Sequence, residues 1–171
     1  MKIEYYLENT MLQILKTKMI DDIRVAEIID EIGICKGTFY KYYRDKFDLL
    51  QRSFDNFYYN DIKVKSEDFE TFIHNLLETA ICNREIFVNA FQSDDINNIK
   101  NYNSALIKSY IDQENLKRGR DITRENYKYV SEIYSDEITQ IILNWLKNGM
   151  WKNPDKMEEI IFLMYPPLLA E

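Results

Sequence analysis

Apolar residues recur at helical spacing along almost the whole chain. Val25, Ile28, Ile29 and Ile32 stand at i, i+3, i+4 and i+7, and Phe69, Phe72, Ile73, Leu76 and Leu77 extend the same series by one place. Ile138, Ile141, Ile142, Trp145 and Leu146 repeat it, as do Met157, Ile160, Ile161 and Met164. A stripe of this kind buries one face of a helix and leaves the other in water. The pattern predicts helices over 4–20, 25–32, 36–43, 46–64, 67–81, 84–93, 96–117, 124–148 and 154–165. Punctuation agrees with these bounds. Asp45, Ser66, Asn83 and Asn153 stand where a side chain can cap free N–H groups, with Pro154 at a first helical position. Gly33, Gly119 and Gly149 stand where helices should end. The expected fold is all-α.

Composition narrows the function. The 171 residues are 46% apolar, enough for a core, with four glycines and three prolines. So few turn residues argue against a β-sandwich or barrel, and the glycine spacings fit neither a dinucleotide fingerprint nor a phosphate loop. One histidine, His74, and two cysteines, Cys35 and Cys82, assemble no zinc site, His-based triad or disulfide framework. The expectation is a protein that is not an enzyme and needs no cofactor or metal. The longest charge-free run, Ile160–Ala170, is shorter than the roughly 20 residues of a membrane span. Glu4 and Glu8 leave no secretory apolar segment at the start. A cytoplasmic protein with reduced cysteines and no membrane partner is expected.

The net charge of −7 speaks against a chain that coats nucleic acid indiscriminately. Its distribution is uneven. Between Lys36 and Lys46, four cations (Lys36, Lys41, Arg44, Lys46) face only Asp45. This patch lies in a helix, tight turn and helix spanning 24–43, the plan of a helix-turn-helix. The first helix braces with its isoleucines, and Gly33 supplies the left-handed residue that ends it. In the second, Phe39 is the inward anchor, while Lys36, Thr38, Tyr40, Lys41 and Tyr42 point outward. Hydroxyls and ammonium groups of this kind suit phosphates and base edges, and Gly37 lets the backbone approach closely. Lys46 would neutralise a further phosphate. Of Tyr40 and Tyr42, one can be core.

The run Ile23–Leu50, with Gly-Thr-Phe-Tyr at 37–40, an aromatic at Tyr43, then Asp45-Lys46 and Asp48-Leu49-Leu50, strongly resembles the DNA-binding domain of TetR-type transcriptional regulators. Two positions depart from that pattern. Arg24 stands where the family often has a threonine cap, which the resemblance turns into a charged phosphate contact. Cys35 replaces the usual serine before the second helix. Residues 144–159, Asn-Trp-Leu-Lys-Asn-Gly-Met-Trp-Lys-Asn-Pro-Asp-Lys-Met-Glu-Glu, resemble the C-terminal segment of short members akin to the dihydroxyacetone-kinase regulators. In such proteins the last two long helices pair with their twins. By that resemblance Ile138, Ile142, Trp145, Met157, Ile161 and Met164 form a dimer interface, and their number exceeds what one small domain readily hides.

The resulting expectation is a three-helix DNA-binding domain at 1–48 and a helical-bundle regulatory and dimerisation domain at 49–171. The chain would be a repressor that binds a palindromic operator in double-stranded DNA as a homodimer, released by a small-molecule or protein effector. An interaction module of the same fold, governed by a protein partner, is the alternative. Four further features take plainer readings. Cys35 fills a tight corner, Cys82 packs, His74 lies at the surface or core edge, and the basic run Lys117–Arg124 is a solvated loop. Whether the aromatics Phe69, Phe72, Phe87, Phe91, Tyr102, Tyr110, Tyr127 and Tyr134 pack or line a cavity is open at this level.

Overall fold

The computed structural model describes residues 2–165, so the end of the charge-free run Ile160–Ala170 lies outside the described residues. These residues are helical throughout. The helices are α1 (Ile3–Leu15), α2 (Val25–Ile32), α3 (Lys36–Tyr42), α4 (Lys46–Phe54), α5 (Asn60–Lys65), α6 (Phe69–Cys82), α7 (Arg84–Phe91), α8 (Ile99–Lys117), α9 (Glu125–Lys147) and α10 (Pro154–Leu163). A 3₁₀ turn, Ile20–Asp22, precedes α2, and a π turn, Asp55–Tyr59, joins α4 to α5. No helix among the described residues is long and apolar enough to cross a membrane.

Most caps fall where expected. Asp45 accepts hydrogen bonds from the backbone N–H groups of Phe47 and Asp48, at 2.8 and 2.9 Å, and opens α4. Asn153 does the same for Lys156, with Pro154 at the first position of α10. Gly33, Gly119 and Gly149 take positive φ, the conformation that ends a helix at little cost for glycine alone. Two bounds differ. The helix expected to reach residue 20 stops at Leu15, whose carbonyl accepts the Asn89 amide at 2.8 Å. The chain then turns so that both Ile20 and Ile23 are buried. Ser66 does not cap α6, because its hydroxyl donates back to the Ile62 carbonyl. Asp68 takes that part and accepts the Thr71 N–H at 2.8 Å.

The chain forms two compact units. The first comprises Met1–Asp61 with Asn83–Ile99, the second Ile62–Cys82 with Lys100–Glu171. Packing thus draws α4 and α7 in with the first three helices, a division different from the functional one expected at residue 48. The core of the first unit is a layer of α1 (Leu7, Met11, Leu15), α2 (Ile28), α3 (Phe39) and α4 (Leu49, Leu50, Phe54), all fully buried. Phe54 sits in an aromatic cluster with Tyr58, Phe87 and Phe91 at centroid distances of 5.3, 5.1 and 6.1 Å. Burial pushes the Tyr58 hydroxyl up to about 12, so it stays protonated and donates to Asn83.

In the second unit α6 packs on α9 and α10. Phe72 stacks on Tyr110 of α8 at 4.1 Å, and Tyr134 donates its hydroxyl to the Ile161 carbonyl. The aromatics left open by the sequence, apart from half-buried Tyr102, are buried in one unit or the other, and of these Phe69 and Tyr127 also line cavities of about 320 and 690 Å³. A buried polar seam joins α8 to α9, where the Thr139 hydroxyl accepts from Asn103 and Ser104 at 3.0 Å each. Polar groups buried in this way fix the register of two helices, since any slip would leave them without partners.

This unit corrects the expected dimer face. Ile138, Ile142, Trp145, Met157 and Ile161 are all buried within the single chain, and Trp145 donates its indole N–H to the Lys152 carbonyl. Of the six residues only Met164 is exposed. The apolar stripe of α9 is consumed by its own neighbours, which a stripe alone does not reveal. Both cysteines are exposed as well, so neither Cys35 nor Cys82 is the packing residue expected.

Phe39 is wholly buried in the first unit, edge-on to Tyr40 at 5.1 Å and 5.8 Å from Tyr43. Phe39→Ala should destabilise the protein by about 3–5 kcal/mol, the cost of emptying a closed aromatic site. Urea unfolding followed by circular dichroism checks this. A wild-type midpoint would mean that α3 is rotated differently.

Candidate nucleic-acid interface

The candidate interface is built on a short, externally held helix. α2 ends in two backbone bonds around Gly33, Gly33 N–H to Asp30 O at 3.3 Å and Ile34 N–H to Ile29 O at 3.1 Å. Two residues later α3 begins. Its seven residues are too few to be stable alone, so the fold holds them by the burial of Phe39 and of Tyr43 just past the end. Burying position 39 fixes the rotation of the helix. Lys36, Gly37, Tyr40, Lys41 and Tyr42 are then exposed and Thr38 half-buried. Tyr40 and Tyr42 are 49% and 39% exposed, so both belong to the outward face and neither is core. The Lys36 ammonium lies 5.8 Å from the centroid of the Tyr40 ring, a cation–π contact that steadies both side chains.

The start of α3 carries an unusual cap. Cys35 makes no capping bond to the backbone, but its sulfur shares a hydrogen bond with the Thr38 hydroxyl at 3.2 Å. That bond, reinforced by the Thr38 N–H, holds the thiol below its ordinary pKa. Arg24, at the start of α2, is exposed and makes no capping bond. Arg44 is among the cations of this segment but lies outside the expected contact residues. Its side chain is 86% exposed, with only a 3.6 Å ion pair to Asp48. Its place directly after α3 is the signal that could have marked it.

Lys46 is placed differently from the rest. Its ammonium donates to the carbonyls of Ile20, Asp21 and Ile23 at 2.8, 2.9 and 3.1 Å. All three of its N–H bonds are spent on the 3₁₀ turn, and none remains for a phosphate. Lys46 pins the start of α4 to the turn before α2. Asp45, the one acid of the patch, is likewise occupied by the N–H groups of α4. The outward charge is therefore that of Lys36, Lys41 and Arg44, with Arg24 on the neighbouring helix. Among the described residues no cluster of His, Cys, Asp or Glu is arranged to hold a metal.

A bracing helix, a glycine turn and an outward helix bearing cations and hydroxyls define the class: a helix-turn-helix protein. Residues 67–166 match the family model TetR_C_8, described as the transcriptional regulator C-terminal region. The match covers more than half of the chain, and the protein belongs to the TetR-type transcriptional regulators. Two solved structures share the fold. The dihydroxyacetone kinase operon activator DhaS is 17% identical, with a TM-score of 0.63 over 98% of this chain and 93% of that one. The fatty acid degradation regulator FadR from Bacillus halodurans is 13% identical, with a TM-score of 0.59 over 97% of each chain. At such identities the likeness is one of fold. No curated protein sequence matches significantly.

Removing the pin separates its role from that of the outward cations. Lys46→Ala should lower stability by about 2 kcal/mol, the scale of charge-assisted bonds lost from a part-buried site. A thermal melt checks this, and an unchanged midpoint would return Lys46 to the pool of DNA-facing cations.

Proposed function

We propose that the protein is a sequence-specific repressor that binds a palindromic operator as a homodimer and is released by an effector acting on the second unit. The observation that carries this reading is the division of α3, with Phe39 inward and Lys36, Tyr40, Lys41 and Tyr42 outward. Thr38 and Gly37 let the backbone come close to phosphates, while Arg24 and Arg44 flank the contact. Two such helices on a two-fold axis would enter major grooves about 34 Å apart or somewhat wider. The helical run Lys46–Lys65 carries the chain from one unit into the other. An effector works by binding one spacing of the two heads better than the other. DhaS, which shares the fold, is named an activator, so the sign of regulation is tested separately by reporter transcription with the selected operator.

Dimerisation needs a face that the single chain leaves open. On α9, Tyr129 and Ile133 are 66% and 45% exposed, and at the end of α10 Leu163 and Met164 are 82% and 46% exposed. These outward residues replace the buried stripe as the proposed contact. Ile133→Glu combined with Leu163→Glu should give a folded monomer in sedimentation analysis, and a persistent dimer would place the contact elsewhere.

Selection from random duplex DNA at about 150 mM salt, where non-specific binding is weak, tests the function directly. A palindrome should be enriched, and Lys36→Ala or Lys41→Ala should each reduce the salt slope by about 1. A folded dimer that enriches nothing would favour the module controlled by a protein partner.

A further inference from the structure

Glu8 is a carboxyl group buried to 4% exposure on the otherwise apolar face of α1. One of its oxygens accepts the Tyr43 hydroxyl at 2.8 Å and the other the Asn56 amide at 2.9 Å. Each oxygen therefore has one hydrogen-bond donor. Both donors are neutral, and no lysine or arginine among the described residues forms an ion pair with Glu8. A carboxyl group held in a core by neutral donors alone gains from a cation placed beside it.

Glu8 lies at the base of a cavity of about 390 Å³ that opens to solvent at the surface of the first unit. Four aromatic side chains line it, Tyr5, Tyr42, Tyr43 and Phe57, and Glu4 adds a second carboxylate one turn before Glu8. Tyr5 stacks on Phe57 at 5.7 Å. Phe57 and Asn56 belong to the π turn Asp55–Tyr59, a departure from regular helix that often marks a site. Lys2 and Arg52 also reach the rim, but Arg52 is engaged by the Tyr43 ring at 5.9 Å and by Asp48 at 3.5 Å. Aromatic faces around a carboxyl group attract a cation that carries apolar bulk, since the ring quadrupoles and the carboxylate favour the same charge.

We propose that this cavity binds a singly charged organic cation, an alkyl- or arylammonium, with Glu8 as counter-ion and Tyr5, Tyr42 and Phe57 as the walls. Tyr42 also belongs to the outward face of α3, so an occupant would touch a residue proposed to meet DNA. The binding claim itself does not depend on that reading, because it is tested without DNA.

The full chain is titrated with benzyltrimethylammonium at constant ionic strength, with benzyl alcohol as the neutral comparison, by calorimetry and thermal melting. Saturable binding and a raised melting temperature are expected for the cation alone. Glu8→Gln keeps the shape and an acceptor while removing the charge, and it should weaken binding at least about tenfold. Tyr5→Leu, at a half-exposed position, should weaken it several-fold and serves if the first variant fails to fold. No saturable binding by the wild type, wild-type affinity in either folded variant, or equal binding of benzyl alcohol would overturn the proposal.

Discussion

The burial of Phe39 is the constraint on which the interface depends. A helix of seven residues gains little from its own hydrogen bonds, so its orientation comes from the one side chain that it surrenders to the core. With position 39 turned in, the helical repeat of 100° per residue leaves Gly37 and Lys41 on the far side and Lys36, Tyr40 and Tyr42 at the flanks. The surrounding devices protect that setting. Gly33 permits the tight approach to α3, Tyr43 closes its end, and Lys46 ties the next helix to the turn before α2. Each is a local choice that agrees with the same global arrangement, the consistency expected of a foldable sequence.

Much of this was legible in the chain because the signals are short-range. The bounds of α2 and α3 and the capping by Asp45 follow from residues within a few positions of one another, as does the inward turn of Phe39. What was not legible is long-range. A lysine beside an exposed helix reads as a phosphate contact, and only the folded chain brings the carbonyls of Ile20, Asp21 and Ile23 to its ammonium. The same holds for Ile138, Ile142 and Trp145. Their spacing states that a face of α9 is covered, while the identity of the cover depends on how α6, α8 and α10 pack around it. Cys82 shows the converse, a residue of apolar habit near Ile81 that the last turn of α6 leaves in water.

Polar groups in the cores mark where the sequence specifies more than burial. In the second unit, Thr139 gathers Asn103 and Ser104, and Asn115 joins the Ile111 carbonyl to the Tyr165 hydroxyl. These bonds are neutral and locally satisfied, so their account is structural, the fixing of helix register. Glu8 in the first unit is of another kind. Its bonds are also satisfied, yet a carboxyl group costs more to bury than a hydroxyl or an amide, and the seam account that serves for Thr139 does not serve for it.

Charge completes the argument about the DNA reading. The chain carries a net −7, and the cations of the interface are few once Lys46 is withdrawn to the fold. A protein with so little basic surface has weak hold on arbitrary duplex, because non-specific affinity rests on the number of phosphates neutralised. Repulsion by the acidic remainder lowers that hold further. On the proposed reading, recognition would depend on the hydroxyls and close backbone approach of α3, and on two heads acting together. An acidic body would suit a regulator of that proposed kind, since it would lower binding wherever base contacts and half-site spacing are not both met.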